Sequence, residues 1–472
     1  MARLYYERLS EESAAYLERE GSRQRSHVAM TLIFDAGPLL TDEGGIDFDR
    51  IRRVIESRLG DLPKLRARLR RVPFDQHQVW VDDPEFNLDY HLRQSSLPRP
   101  GNHDQLCRTA ARIAASRLDR SRPLWDLWVL EGLEGGRFAL IFKIHKSLLS
   151  EEGTDLLRTI LSISDEPFSG SPAPYRPRPA PSPVELFVKE VLQGWSPSRR
   201  IVSRGLRWLR HPAQASHELQ DRGRNVLRVL GYGLRPKSES PFDGALGPHR
   251  SYEVESISLE DVQTIRRSLG GSIHDCVLGV LTGALRRFLE GRFYSPVAVD
   301  LRALTPVLAV DQKEARPWMV ELPIWEEDEP TRHRLIREQT RRIRMEEEGV
   351  ASGEDLTASA DWDASRLFSL GARAIGRIST GQLVVLQCPG PQEPLYLDGA
   401  ELQEWYGHLP LQDAAGLIIT VVSYAGSLFV ALNADPEIVP DLAALRQAIA
   451  LEVQSLRALA DGQGPALRAV SS

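Results

Sequence analysis

An apolar run that ends on titratable residues is the feature of this sequence that most constrains its fold. Phe138–Phe142 are apolar without interruption, and Lys143, Ile144 and His145 follow them. Placed after the turn Glu134–Gly136, this run predicts a buried strand that forms the second arm of a hairpin. A strand end that carries a histidine is a common position for a catalytic base. We therefore expect a candidate site beside His145.

Strand and helix patterns are mixed on both sides of a proline-rich stretch, residues 166–183, which holds seven prolines. Neither side shows regular βαβ alternation, which favours an α/β fold of the α+β sandwich type, present twice. A length of 472 residues suits several domains. We predict an N-terminal domain at 1–165, a Pro-rich linker with a basic helical segment at 166–240, and a C-terminal domain at 241–472.

Bulk composition excludes several classes of function. A net charge of −6 gives the molecule no overall attraction to nucleic acid. The three cysteines, Cys107, Cys276 and Cys388, form no C-x-x-C pair, and the eleven histidines show no ligand spacing, so we expect no metal site. The low cysteine content fits a reducing cytoplasm. We find neither a signal peptide nor a membrane-spanning apolar window, so we expect a cytoplasmic protein.

A basic segment lies between the two predicted domains. Eleven Lys and Arg residues occur from Lys189 to Lys237, and the arginines of 199–210 are interleaved with Leu206, Trp208 and Leu209. One interpretation is a solvated helix whose arginines pair with acidic neighbours. The other is an interfacial helix on anionic lipid, where each near-surface cation adds roughly 1 kcal/mol. The sequence leaves both open.

Motifs spread along the whole chain resemble the bacterial wax ester synthase/diacylglycerol acyltransferase family. They are Ser121–Trp125, Gly132–Leu140 and Lys143–His145 in the first half, and residues 241–248, 270–275, 283–288, 389–391, 394–396, 416–424 and 432–436 in the second. The resemblance implies two chloramphenicol-acetyltransferase-like domains that form a pseudo-dimer around a central channel. It also implies transfer of a fatty acyl group from acyl-CoA to a long-chain alcohol or diacylglycerol, as in storage-lipid synthesis. Acyl-CoA is then a substrate or ligand, and no cofactor is expected.

The family's His-His-x-x-x-Asp-Gly signature is altered in this chain. His145 falls on the first histidine, Lys146 on the catalytic one, Ser150 on the aspartate and Glu151 on the glycine. A lysine with an ordinary pKa near 10.4 is protonated at neutral pH and cannot accept a proton. Loss of a general base costs roughly 10²–10⁴ in rate. The resemblance therefore implies weak or lost transfer. Near the N-terminus, the family's Leu-Ser-x-x-Asp reads Leu9–Ser13 here.

Further residues are assigned to substrate binding from the same motifs. These are Pro123, Trp125, Gly153, His274, Asp275, Pro389 and Gly390. Alternatives stay open for the titratable ones. His145 either holds the strand end or replaces the base, with Glu151 or Glu152 orienting it. Lys146 either lies at a pocket rim or binds a CoA phosphate or a carboxylate. His274 and Asp275 either begin a helix or form a replacement dyad.

Three functions fit these observations. The first is an acyl-CoA-dependent O-acyltransferase with a rearranged base. The second is a non-catalytic homologue that binds acyl-CoA or neutral lipid, or that partners an active paralogue. The third is an acyltransferase of specialised metabolism that uses His145 as base. The expected small-molecule partners are acyl-CoA and a neutral lipid or long-chain alcohol. We also expect peripheral contact with an anionic membrane on its cytoplasmic face or with a lipid droplet, and either a homodimer or a complex with an active paralogue.

Overall fold

The computed structural model describes residues 5–21, 25–73, 77–149, 159–186, 240–308, 315–346, 383–411 and 415–462. The strands of this part are β1 (Glu7–Arg8), β2 (His27–Asp35), β3 (Ala67–Arg71), β4 (Gln78–Asp82), β5 (Leu92–Ser96), β6 (Trp125–Leu133), β7 (Arg137–His145), β8 (Ser251–Ser258), β9 (Leu301–Leu308), β10 (Ala315–Leu322), β11 (Leu383–Pro389), β12 (Tyr396–Leu397), β13 (Ala400–His408), β14 (Leu417–Tyr424) and β15 (Ser427–Ala434). The helices are α1 (Glu11–Arg19), α2 (Phe48–Arg58), α3 (His103–Ala115), α4 (Leu259–Leu269), α5 (Ile273–Glu290), α6 (Glu329–Glu346) and α7 (Leu442–Ala460).

The first half is built on a six-stranded sheet with the order β12-β13-β2-β7-β6-β5. The predicted hairpin is confirmed, because β6 and β7 pair antiparallel across the turn. Strand β7 is central and nearly all of it is buried, as its uninterrupted apolar run requires. Its other neighbour is β2, which pairs antiparallel with His27 opposite His145. The end of β7 therefore lies beside the start of β2.

The second half repeats this arrangement with a sheet of order β10-β9-β11-β14-β15-β8. Its long apolar helix α5 is buried along most of its length, as expected for a core helix. Both halves thus combine a mixed six-stranded sheet with helices, which confirms the predicted two-part α/β architecture. The predicted domain boundaries at 165 and 240 stay a prediction.

The second half contributes strands to the sheet of the first. Strands β12 and β13 come from the chain beyond residue 241, yet β13 pairs with β2 and completes the first sheet. The hydrophobic core of the first half also takes in side chains of the second, including Tyr252, Ile418 and Phe429. The central interface is therefore part of the folded core, and β12 and β13 join the second half to the first.

The described part of the Pro-rich stretch packs against the first half. Arg178 donates to both carboxylate oxygens of Asp82, at 2.7 and 2.9 Å. Leu186 is buried against the small sheet β1-β4-β3, among Val72, Val79 and Val81. Residues up to 186 therefore form a strap along the first half, while the basic 199–210 segment lies outside the described residues.

No single helix in the described ranges has both the length and the apolar composition needed to cross a membrane. Helices α4 and α5 meet those criteria only when taken together, and the chain bends by 95° at the break between them.

Candidate active site

His145, at the end of β7, belongs to a buried cluster with His27 and Glu20. The two imidazole rings meet edge to face with their centroids 5.5 Å apart, which follows from the antiparallel pairing of β2 and β7. Glu20, just after α1, places one carboxylate oxygen 2.8 Å from His27 Nε2 and the other 3.8 Å from His145 Nε2. Both histidines are at least 95% buried, so this cluster is shielded from water.

Both ring nitrogens of His145 point into the protein. The backbone N–H of Ser147 donates to Nδ1 at 3.1 Å, and the Ser147 hydroxyl oxygen lies 2.6 Å from the same nitrogen. Because Nδ1 accepts this bond, the neutral ring carries its hydrogen on Nε2, which faces Glu20. Burial, followed by the charge of His27, lowers the pKa of His145 to about 3. His145 is therefore a neutral, weakly basic residue in this arrangement.

Cationic side chains surround the cluster and offset the Glu20 carboxylate. Burial raises the pKa of Glu20, but His27 and an Arg120 bond of 2.7 Å outweigh it and hold that pKa well below its usual value. Lys143 is fully buried and donates to Ile113 O at 3.0 Å. Burial lowers the pKa of Lys143, which also lies 3.5 Å from Asp126. Glu20 thus stays ionised inside a positively charged environment.

Lys146, which the resemblance aligns with the family's base, begins a 3-10 turn, Lys146–Leu148. Its side chain is buried under α1, with Nζ 5.2 Å from the Tyr16 ring centroid. Burial lowers the pKa of Lys146 to about 8, and the nearby Glu12 charge opposes this shift. A pKa of that size lies in the range where a lysine can act as a base.

The altered N-terminal motif lies directly beside the altered signature. Ser13, which stands where the family has aspartate, donates through its hydroxyl to the backbone oxygen of Ser147 at 3.4 Å. Ser10 caps α1 and orients that helix across the Lys146–Leu148 turn. The replacements at positions 13 and 146 are therefore neighbours around one turn of backbone.

Two groups of side chains are close enough to be tested as metal sites. The donor atoms of Glu20, His27 and His145 lie within 4.8 Å of one another. However, Arg120 already pairs with Glu20. His145 Nδ1 accepts the Ser147 N–H, so the ring hydrogen is on Nε2, and this nitrogen has no free lone pair for a metal. The chemistry of this donor set therefore does not fit a cation.

The second group is His103, Cys107 and Glu253, where α3 meets β8. Glu253 is paired with Arg446 at 3.1 Å. Burial raises the pKa of the Cys107 thiol far above its usual value, so Cys107 is a neutral thiol in this arrangement. This group does not fit a cation either.

A small cavity of about 30 Å³ lies between the halves next to the histidine cluster. Its lining includes His27, Arg25 and Ala111 from the first half and Arg250, Tyr252 and Asn433 from the second. The charge of Arg25 contributes to the lowered pKa of Arg250, after burial and against Asp435, so the two guanidinium groups are close enough to repel. His27 thus connects this cavity to His145.

Pro123 and Trp125 are located in the core next to β7. Trp125 is 1% exposed, donates from its indole nitrogen to Leu65 O at 2.6 Å, and stacks on His91 with centroids 4.7 Å apart. Pro123 is buried and accepts the backbone N–H of Trp125 at 3.0 Å. These contacts are those of packing residues, and their assignment to substrate binding stays a prediction.

His274 and Asp275 begin α5 in the second half. Asp275 forms a capping box with Ser272 and also binds Thr340 at 2.6 Å and Arg344 at 2.9 Å. His274 points elsewhere, with its ring edge to face with Trp318 at 6.1 Å. Burial lowers the pKa of His274. The two side chains do not form a dyad, in agreement with the helix-start interpretation.

Pro389 and Gly390 lie at the end of β11. Pro389 is paired with Ser423 of β14, and Gly390 N donates to Ser423 Oγ at 3.2 Å. A Cβ atom at position 390 would collide with the Ser423 backbone oxygen, so this close approach requires glycine. Ser150 and Gly153, together with Glu151 and Glu152, lie outside the described residues.

Sequence reasoning missed Glu20, His27, Tyr16, Arg25 and Arg250. His27 is the first residue of β2, but its place opposite His145 depends on strand pairing. No spacing along the chain shows that pairing, because β2 and β7 are separated by four other strands.

Comparison with known proteins identifies the lineage. Residues 9–277 match the wax ester synthase/diacylglycerol acyltransferase catalytic domain, and residues 318–457 match the C-terminal domain of the same family. A Mycobacterium tuberculosis protein whose name assigns it provisionally to the diacylglycerol O-acyltransferases is 30% identical over 450 residues, covering 91% of this chain and 92% of that protein. A second protein from that organism, likewise named provisionally as a diacylglycerol O-acyltransferase, is 27% identical over 457 residues and 92% of each chain.

Solved structures share the fold. The wax ester synthase/diacylglycerol acyltransferase from Marinobacter aquaeolei has a TM-score of 0.65 at 18% identity, covering 96% of this chain and 100% of that one. The first condensation domain of the calcium-dependent antibiotic synthetase has a TM-score of 0.52 at 15% identity, covering 97% and 96%. The two-domain fold predicted from the resemblance is therefore confirmed. This chain belongs to the wax ester synthase/diacylglycerol acyltransferase family and has the scaffold of an O-acyltransferase.

Proposed function

We propose that this chain binds acyl-CoA between its two halves and transfers the acyl group to a long-chain alcohol or diacylglycerol at a strongly reduced rate. The observation that carries the proposal is Lys146, which stands at the position of the family's catalytic base and is buried beneath α1. The scaffold around it is complete in the described residues, while the base itself has changed.

Neutral Lys146 can complete the reaction in principle. Its Nζ accepts the acceptor's hydroxyl proton, the oxygen attacks the thioester carbonyl, and the CoA sulfur leaves and takes the proton back from the ammonium group. With a pKa of about 8, roughly one lysine in ten is neutral at pH 7. The packing of Nζ on Tyr16 also holds the side chain under α1. The small neutral fraction of Lys146 and the packing of its side chain both support slow transfer.

The geometry does not support His145 as a substitute base. Its Nδ1 accepts from Ser147, its Nε2 faces Glu20, and its pKa is about 3. A base with so low a pKa accepts the hydroxyl proton much less readily than a lysine whose pKa is near 8. The alternative that used His145 in specialised metabolism therefore has no support from these contacts.

The cavity supports acyl-CoA binding. Arg25 and Arg250 approach it from opposite halves, and guanidinium groups suit the phosphates of CoA. Two like charges that face one cavity are stabilised when an anion lies between them. Peripheral contact with an anionic membrane or lipid droplet in the cytoplasm belongs to the same proposal, because both acceptor classes are lipids. A homodimer or a complex with an active paralogue is compatible with it.

The test measures transfer of labelled palmitate from palmitoyl-CoA to hexadecanol and to diacylglycerol. We expect slow turnover by the natural chain and an increase of roughly 10² or more in Lys146→His/Ser150→Asp/Glu151→Gly, because this variant restores the signature. Arg25→Gln is the matched control for binding, and it should raise KM while leaving kcat nearly unchanged.

Two outcomes would contradict the proposal. Absence of turnover in both proteins, together with saturable palmitoyl-CoA binding, would favour the non-catalytic homologue or a partner of an active paralogue. Rapid transfer by the natural chain that survives Lys146→Met would show that another base acts. For the basic segment 199–210, vesicle flotation that is unchanged by Arg→Glu substitutions would exclude it as a membrane contact.

A further inference from the structure

A cluster of apolar side chains projects into solvent just after α5. Phe293 is fully exposed at 100%, Val297 is 79% exposed and Tyr294 is 48% exposed. They follow one another within five residues and are held by a 3-10 turn at Pro296–Ala298. We call Phe293, Tyr294 and Val297 the Phe293 tip. Single exposed apolar residues are ordinary, whereas three on one short turn suggest a contact surface.

The backbone at Phe293 shows that its exposure is built into the fold. Phe293 N donates to Glu290 O and Tyr294 N donates to Leu289 O, both at 3.0 Å. This pair of bonds is the Schellman ending of a helix, in which the residue at Phe293's position adopts a left-handed conformation and is usually glycine. Phe293 has φ of +61°, which a bulky side chain adopts only with strain. A phenylalanine is thus kept at a position where glycine would stabilise the helix end.

Packing among the residues that the structure describes does not account for Phe293. The core residues at this helix end are Phe288 and Leu289, both nearly fully buried, and the Phe293 ring lies outside them in solvent. A strained backbone that holds an apolar ring in water is a reason to look for an external partner. The ring is the most exposed large apolar side chain among the described residues.

One cation adjoins the tip, among charges that are otherwise paired. Glu290 pairs with Arg286 at 2.7 Å, an arginine that also contacts Glu327 at 3.0 Å, and Asp300 pairs with Arg302. Arg292 adjoins Phe293 on the tip, and its guanidinium group lies 4.9 Å from the Phe288 ring centroid. A cation next to projecting aromatic rings matches the interface of an anionic bilayer, where rings enter the acyl boundary and the cation remains among the headgroups.

We propose that the Phe293 tip inserts into the surface of an anionic lipid bilayer and anchors the second half of the protein there. A projecting turn fits a fluid lipid surface, whereas a protein partner would need a matching pocket for each side chain. The proposal rests on the proposed function only in that lipid acceptors would be met at such a surface. Its test measures binding without transfer, so the two proposals can fail separately.

The experiment uses the full chain with vesicles of equal parts phosphatidylcholine and phosphatidylglycerol, separated by sedimentation. Phe293→Gly removes the ring and supplies the residue that this helix ending prefers, so we expect thermal stability to stay the same or rise. We expect the vesicle partition coefficient to fall about tenfold, because burial of one aromatic side chain contributes that order of affinity. Val297→Ser should lower it by less.

Ile163→Ser is the matched control. Ile163 is 75% exposed, which is close to Val297, but it lies in the first half away from the tip. The proposal expects no change in vesicle binding for this variant. High salt should weaken the contribution of cationic segments but preserve the difference between the natural chain and Phe293→Gly, because apolar insertion is not screened.

Three results would overturn the proposal. The first is vesicle binding by Phe293→Gly equal to that of the natural chain. The second is equal loss in Phe293→Gly and Ile163→Ser. The third is a natural chain that is dimeric by light scattering and becomes monomeric in Phe293→Gly while vesicle binding is unchanged, since that would make the tip a contact between copies.

Discussion

Each half of the molecule presents a histidine followed by a charged residue, and the two pairs are treated differently by the fold. In the second half, Asp275 is fully buried and has Ser272, Thr340 and Arg344 as partners. In the first half, Lys146 is nearly as buried, and burial lowers its pKa to about 8 although the Glu12 charge opposes the shift. The surroundings of Asp275 stabilise its charge, whereas burial destabilises the charged form of Lys146.

This difference between Asp275 and Lys146 indicates a role in stability for the first residue and a role in acyl transfer for the second. A satisfied buried carboxylate holds a helix start in place, and its loss costs stability. A buried lysine with a lowered pKa costs stability and is retained where a proton acceptor or a cation is useful. The second-half pair is therefore expected to matter for folding, and the first-half residue for transfer. Four substitutions or measurements test this contrast between Asp275 and Lys146.

Replacement of Asp275 by alanine should have the largest effect. It removes the carboxylate half of the α5 capping box, which accepts the Ser272 N–H, and leaves Arg344 without its buried partner, so we expect the free energy of unfolding to fall by about 3 kcal/mol. Urea denaturation followed by circular dichroism measures this. Glu260→Ala, at the exposed start of α4, is the control and should cost under about 1 kcal/mol. A loss for Asp275→Ala no larger than the control's would show that the pair is not structural.

Replacement of Lys146 by methionine should act in the opposite direction. Because its folded pKa, about 8, lies below the usual 10.5, the unfolded chain holds this proton more tightly. The cost of burying the charge is fully present below pH 8, and it disappears as pH rises through 10.5. We expect Lys146→Met to stabilise by about 2–3 kcal/mol at pH 7 and by nothing near pH 11.

Thermal melts across this pH range measure the gain. Lys64→Met is the matched control, because Lys64 is partly exposed and pairs with Glu7 at 2.9 Å. It should change stability by under about 1 kcal/mol at any pH in the range. If Lys146→Met destabilised the protein at pH 7, the idea that burial penalises this ammonium group would have to be abandoned.

The pH dependence of residual transfer should show a smaller effect of about tenfold. If neutral Lys146 is the base, kcat rises about tenfold for each pH unit below 8 and levels off above it. The signature-restored variant has a histidine there and should level off about one to two units lower. A profile of the natural chain that is flat from pH 6 to 9 would contradict a role for Lys146 as base.

Replacement of His274 by leucine should have the smallest effect. Among the described residues its Nε2 has no hydrogen-bond partner, so an apolar side chain loses little there. We expect a change in unfolding free energy under about 1 kcal/mol and unchanged transfer. A tenfold fall in kcat without loss of stability would instead revive the dyad interpretation of His274 and Asp275.

Local elements of this fold could be predicted because their causes are local. The apolar run at Phe138–Phe142 predicts β7, and Glu134–Gly136 predicts its hairpin with β6. Ser10 and Ser272 are of a residue type that favours helix starts, and both cap helices. The resemblance also placed Lys146 at the position of the base. These inferences depend on residue type and spacing along a few turns of chain.

The candidate site as a cluster could not be predicted. Glu20, His27 and His145 meet only because α1 ends beside the first sheet and β2 pairs antiparallel with β7. Trp125, which the motifs assign to substrate binding, is held in the core by Leu65 and His91, a contact set that the motif spacing does not show. Contacts between residues far apart in the chain depend on sheet order, which local patterns do not encode.

The lineage and the two-part α/β architecture follow from the amino-acid sequence alone, and the resemblance aligns Lys146 with the family's base. The chemical properties of these residues depend on the folded chain. Tertiary structure buried Lys146 under α1, which lowers its pKa because a charge loses hydration there. It turned both nitrogens of His145 inward, and it completed the first sheet with β12 and β13 from the other half. Burial and strand pairing are properties of the folded chain, so protonation and access became defined only once the two halves had packed.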